Sequence, residues 1–171
     1  MNGSTTDITL RVVGIFYETN INLGENGGTV EDVLEAAKNA VTTGDSFDYK
    51  ATPRRGMPKS PEFFEAFYES SFTRGKGSNT RRYEAGTYKL QESFKAGELN
   101  PIGEFYSVWQ YYILSPDGVL LTRDQEFIPF DDPRAAVPAG GMVIWRLVTI
   151  RRNSTEFFGG GGAPGSIGVG V

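Results

Sequence analysis

Residues 27–44 read Gly-Gly-Thr-Val-Glu-Asp-Val-Leu-Glu-Ala-Ala-Lys-Asn-Ala-Val-Thr-Thr-Gly, and this stretch decides the fold. The two glycines end the extended chain before them, and a helix signal starts at the next residue. Thr29 followed three positions on by Asp32 has the form of a capping box, and Glu31 and Asp32 put anions in the first turn, where the helix dipole favours them. Val30, Val33, Leu34, Ala37 and Val41 recur at the spacing of one buried stripe, while Glu31, Glu35, Lys38 and Asn39 fall elsewhere. The pattern predicts a helix over 29–43, closed by Gly44 as its C-terminal cap.

Outward from the helix, both flanks read as strands. On the N-terminal side Ile8, Leu10 and Val12 alternate with Thr9, Arg11 and Val13 before Ile15-Phe16-Tyr17, so 7–23 is a strand or a bent strand pair with Gly14 marking a bulge. On the C-terminal side Phe105 to Leu114 is almost wholly β-favouring, Ser115-Pro116-Asp117-Gly118 is a turn, and Val119 to Thr122 returns as a hairpin. Val137-Pro138-Ala139-Gly140-Gly141 then leads into Met142 to Arg151, whose two alternating sets leave only Arg146 polar on its face. Such a run fits a central strand covered on both faces. The fold class is therefore α+β, a sheet with one main helix packed on it.

Residues 45–101 break this rhythm and read as a long insertion. Pro53, Pro58 and Pro61 interrupt it, and positive charge concentrates there. Ser60 as N-cap with Pro61 at the first helical position predicts a short helix, with Phe63, Phe64, Phe67 and Tyr68 on one side and Glu62, Glu65 and Glu69 on the other. Gly75 to Asn79 is a turn or loop, and a strand follows within 83–94. Arg54, Arg55, Arg81 and Arg82 form a basic interaction surface suited to carboxylates of another subunit. Their interleaving with Phe72 and Tyr83 superficially suits single-stranded nucleic acid, but salt partners fit a net-acidic chain better.

At 171 residues with 39% hydrophobic content, the chain is long enough for one domain, 1–158, followed by a Gly-rich tail, 159–171. A net charge of -4 argues against nucleic acid or an anionic membrane as the partner. The absence of cysteine excludes disulfides, thiolate nucleophiles and Cys-based metal sites, and the absence of histidine removes the commonest general base and metal ligand. No residue set supplies a nucleophile beside a base of near-neutral pKa, so no catalytic residues are assigned and the chain is read as not an enzyme. The acidic pairs Glu31-Asp32, Asp131-Asp132 and Asp124 with Glu126 match no calcium loop. They read as dipole complements and solvated turns, and no metal is assigned. Gly75-Lys76-Gly77-Ser78-Asn79 lacks the spacing of a phosphate loop, so no cofactor is assigned either. Trp109 and Trp145, on strand-like segments, are expected in the core. With no secretory signal and no apolar run of membrane-spanning length, the expectation is no membrane partner and a cytoplasmic or leaderless-exported location.

Three segments together resemble a known family. They are Thr29 to Ala37, Trp109-Gln110-Tyr111-Tyr112-Ile113 before its turn, and Val137 to Trp145 with its paired glycines. Their order is similar to that of the transcobalamin C-terminal-like (DUF4430-type) β-grasp domain. The resemblance implies a β-grasp-like mixed sheet. The long 45–101 segment and the Gly-rich tail depart from the family pattern. Transcobalamin uses this domain in binding cobalamin, so the resemblance raises a monomeric module for a small molecule, cobalamin-like, or a glycan as one functional class.

The tail raises the other. Residues 159–171 hold glycine at seven of thirteen positions, the composition of a flexible linker. Yet Ile167-Gly168-Val169-Gly170-Val171 alternates β-branched residues with glycine, so an extended backbone puts three apolar side chains on one face and nothing on the other. That is the form of a strand made to enter a narrow groove. The sequence thus points first to a non-catalytic assembly subunit whose C-terminal strand adds to a second copy and builds a filament, tube or lattice.

Overall fold

The computed structural model describes residues 6–40, 43–54, 57–92, 105–123, 128–151 and 157–158. Its strands are β1 (Ile8–Val12), β2 (Tyr17–Ile21), β3 (Gly28–Thr29), β4 (Ser46–Arg54), β5 (Met57–Tyr68), β6 (Phe72–Arg74), β7 (Arg81–Tyr83), β8 (Gly86–Gln91), β9 (Phe105–Leu114), β10 (Leu120–Arg123), β11 (Ala136–Val137), β12 (Met142–Arg151) and β13 (Phe157–Phe158). Helix α1 (Val30–Asn39) follows β3. The fold is α+β, as the helix and its flanking strands require.

The main sheet runs β10-β9-β12-β1-β2, with β13 also on β12. β1 lies parallel to β12, with Leu10 opposite Val143 and Val12 opposite Trp145, and the other neighbours are antiparallel. The parallel pair forces the chain to cross over between β1 and β12, and α1 lies on that crossover. This gives the β-grasp-like mixed sheet with one main helix. β12 is central, as its hydrophobic content implies. Val143 and Trp145 are buried on one face, and Val148 is buried on the other, the face that also carries the buried Gln110 and Tyr112 of β9.

The local chemistry of α1 follows the sequence closely. Thr29 Oγ1 accepts from the Asp32 amide at 3.1 Å while the Asp32 carboxylate accepts from the Thr29 amide at 2.9 Å. The next two free amides are met by the loop before β11, Val30 donating to Ala135 O and Glu31 to Phe130 O, each at 3.0 Å. Val30, Val33, Leu34 and Ala37 are buried as the stripe demands. The C-terminal end differs from expectation: the helix stops at Asn39, with Ala40 extended, and Gly44 sits further on in the loop with φ of 89°.

The larger correction falls on residues 60–68. They form no helix; they are all but the first three residues of β5, the middle strand of a sheet ordered β4-β5-β8. Phe63, Phe64, Phe67 and Tyr68 therefore do not share a side. Phe64, Ala66 and Tyr68 point into the core, Phe67 is 40% exposed, and Phe63 lies under the Lys89 ammonium at 4.2 Å. The helical reading failed because Pro61 suggested a first turn. In the structure Pro61 faces Ala51 at a bulge in the β4 pairing, and β8 pairs only from Phe63 onward, so no ladder donor is required of it there.

The second sheet and α1 together cover the inner face of the main sheet. Phe64 meets Trp109 edge-on at 4.6 Å and Trp145 at 5.2 Å, and Phe47 and Tyr49 stand beside it. Both tryptophans are core residues. Residues 46–91 thus supply part of the one core.

Candidate functional site

β2 is the outer strand of the main sheet and β4 the outer strand of the second, so each leaves one edge unpaired among the described residues. Between them lies a groove of about 190 Å³, lined by Tyr17 and Thr19 from β2, Phe47 from β4, Phe67 and Tyr68 from β5, and Arg74 from β6. Tyr17 stacks on Phe47 at 4.3 Å, nearly parallel at 10°, forming the floor. Phe67 stands on the rim and is one of three exposed large hydrophobic residues among those described. Lys38 and Asp45 also line the groove, so its apolar centre has charges of both signs around it.

An unusual turn leads into β2, one wall of the groove. Residues 13–16 join β1 to β2, with Gly14 at φ of 98° and Phe16 at φ of 59°. Glycine accepts the left-handed region freely, whereas a bulky residue held there costs about 1–3 kcal/mol. Two hydrogen bonds reach the turn from residues of the groove. Tyr68 Oη donates to Ile15 O at 2.7 Å, and Arg74 Nε donates to Phe16 O at 2.9 Å. The Phe16 ring stacks on Tyr83 at 4.1 Å and meets Tyr88 edge-on at 5.7 Å. Arg74 is itself held, its guanidinium 4.8 Å from the Phe72 ring and Nη1 donating to Thr73 O at 2.9 Å. The short hairpin of β6 and β7 thus closes over the turn that starts β2.

Burial pushes the Tyr17 and Tyr68 hydroxyls up from the usual phenol range, so both keep their protons at neutral pH. The groove then sets aromatic surface, with Glu18, Lys38, Asp45 and Arg74 around it, beside an open strand edge. Among the described residues no group of three acidic side chains could hold a metal ion.

The sequence-predicted residues are distributed unevenly. Arg81 and Arg82 are exposed on β7, and Arg82 donates to Ser71 Oγ at 2.9 Å. Arg54 closes β4 but its side chain, like Arg55, lies outside the described residues. Ile167, Gly168, Val169, Gly170 and Val171 also lie outside them. Other charges of the 45–101 segment are matched within the chain: Lys59 pairs with Glu31 at 3.2 Å and Lys50 with Glu62 at 3.5 Å. Asp132 in the loop before β11 is held by Arg134, which keeps its carboxyl below the usual carboxylate range. The groove residues Tyr17, Phe47 and Arg74 were not anticipated. A hairpin signal was present for Arg74, since Phe72-Thr73-Arg74 and Arg81-Arg82-Tyr83 flank a Gly-containing turn.

Among the described residues no helix is long and apolar enough to cross a membrane. No family model matches the chain, and neither a curated protein nor a solved structure matches it.

Proposed function

We propose that the chain is a non-enzymatic assembly subunit. In this reading Ile167, Val169 and Val171 of one copy enter the β2–β4 groove of the next, while Gly168 and Gly170 let the backbone lie close against β2. The observation that carries the reading is the pairing of an unfilled strand edge with an aromatic groove, Tyr17 and Phe47 at its floor and Phe67 on its rim. A groove of about 190 Å³ is also below the range of roughly 300–1,000 Å³ usual for small-molecule sites. That favours an inserted strand over the alternative, a cobalamin-like or glycan-binding module of the transcobalamin C-terminal-like type.

Tail and groove are different surfaces, so the contact is heterologous and propagates unless its rotation happens to close a ring. Three apolar side chains supply gross stabilisation of about 1.5–3 kcal/mol each when fully buried. Ordering glycine-rich backbone opposes this by about 1–2 kcal/mol per residue. Ladder hydrogen bonds to β2 are therefore needed as well as burial.

The test is a complementation experiment. A Phe67→Asp chain should donate a strand but accept none, and a Val169→Asp chain should accept one but donate none. Each alone should remain at the size of a single 171-residue chain, whereas wild type forms large species and the two variants mixed stop at a dimer. Unchanged assembly of either variant alone defeats the proposal. Phe67 suits the substitution because it is 40% exposed and outside the buried core.

A further inference from the structure

We infer that Arg74 is the positioning residue of the β2 edge: it holds the β1–β2 turn in the left-handed conformation that sets Tyr17 as the first residue of the open strand. The inference rests on the strand-accepting reading for its use, but its geometry stands apart from it. Phe16 at φ of 59° is the one non-glycine residue with positive φ among those described. An aromatic residue stays in that region only when its surroundings over-determine it. Here the surroundings are specific. Arg74 Nε holds the Phe16 carbonyl at 2.9 Å, Tyr68 Oη holds the Ile15 carbonyl at 2.7 Å, and Tyr83 stacks on the Phe16 ring at 4.1 Å.

The residue after Phe16 is Tyr17, which lies opposite Val12 in the ladder and stacks on Phe47 in the floor of the groove. A turn relaxing toward an ordinary conformation would therefore rotate the chain entering β2 and disturb both the floor and the first free backbone groups of the edge. Arg74 is well suited to prevent this. Its planar guanidinium lies 4.8 Å from the Phe72 ring and 5.8 Å from the Tyr68 ring, two rings stacked on each other at 3.9 Å, so the donor aimed at Phe16 O rests on an aromatic pair. Lysine in its place would have the charge without the fixed direction. Other rings around the turn complete the clasp, with Tyr88 edge-on to Phe16 at 5.7 Å and to Phe72 also at 5.7 Å.

The experiment uses the full-length Val169→Asp chain as acceptor and a labelled peptide of residues 163–171 as probe. Arg74→Ala and Arg74→Lys should each weaken peptide binding about tenfold, equivalent to about 1.4 kcal/mol. Amide exchange at residues 17–19 should speed up in parallel, while circular dichroism stays unchanged. Phe16→Gly combined with Arg74→Ala should recover part of the lost binding and slow the exchange relative to Arg74→Ala alone, because glycine enters the left-handed region without the steric cost that the Arg74 bond offsets, although the ring stacking on Tyr83 is lost. An Arg134→Ala chain, which loses an exposed arginine of the loop before β11, should behave as the parent. If Arg74→Ala leaves exchange at 17–19 unchanged, or if the double variant is as impaired as Arg74→Ala alone, the positioning role is wrong. If no acceptor binds the peptide, the strand-accepting reading falls, and the exchange rates alone decide the role of Arg74.

Discussion

Replacing Phe64 with alanine tests the claim that the second sheet belongs to the core. Phe64 is fully buried at the meeting of both sheets, with ring neighbours Trp109, Trp145, Phe47 and Tyr49 all within 6.1 Å. Truncating such a ring should cost about 3–5 kcal/mol, since four large, interlocked partners leave little room for collapse into the void. That is a large share of a domain's usual 5–15 kcal/mol. Phe63 provides the comparison. As the next residue on a strand it faces the other way, half-buried beneath Lys89, and Phe63→Ala should cost less than about 1.5 kcal/mol. A helix would have put both rings on one side and made the two substitutions nearly equal. The assay is urea unfolding followed by tryptophan fluorescence, informative because Trp109 and Trp145 are the chain's two tryptophans and both touch Phe64. With a denaturant slope near 2 kcal/mol/M, the midpoint should drop by about 1.5–2.5 M for Phe64→Ala and by well under 1 M for Phe63→Ala. Equal shifts, or a loss below 1 kcal/mol at Phe64, would refute the two-sheet core.

Two further outcomes are expected. The hydroxyls of Tyr17, Tyr49 and Tyr68 are pushed up, first by burial and at Tyr49 also by the Glu35 carboxylate that accepts its hydrogen bond at 2.8 Å. Raised folded-state values mean their stabilisation is complete below the unfolded phenol value near pH 10 and is lost as pH climbs above it, so denaturation midpoints should fall there, in step with phenolate absorbance. Constant midpoints to pH 12 would contradict this. If Arg81 and Arg82 meet carboxylates of a neighbouring copy, light scattering should register weaker assembly between 0.1 and 1 M salt as the Debye length shrinks from about 10 to 3 Å. Particle size indifferent to salt would remove them from the interface.

Much of this fold was legible because local signals and tertiary demands agreed. Thr29 and Asp32 form the capping box that their spacing announces, and Val33 and Leu34 are buried because the stripe has nowhere else to go. The hairpin from Phe105 through the Ser115 turn and the burial of β12 on two faces follow from equally plain patterns. The misreading at 60–68 has a physical source. Glu62, Glu65 and Glu69 recur at helical spacing, but on the strand Glu62 pairs with Lys50 while Glu65 lies opposite Lys89 on one side and Asp48 on the other. Sequence spacing along one strand carries no record of its partners, and only the pairing decides.

The candidate groove was not legible in the sequence. The alternation at Ile167 to Val171, outside the described residues, prompts the proposed strand, whereas a groove assembled from residues 17, 47, 67, 68 and 74 leaves no contiguous trace. Its formation depends on a long-range arrangement: β4 must lie beside β2 rather than pair with it, so that two edges remain open around one aromatic floor. Tyr17 and Phe47 join the two strands through their rings, stacked at 4.3 Å, where no ladder pairs them. The same stack contributes Phe47 to the core and both rings to the groove. Under the proposed strand-accepting reading, Phe47 therefore serves stability and the groove together, whereas Phe67, outside both the stack and the buried core, serves the groove alone.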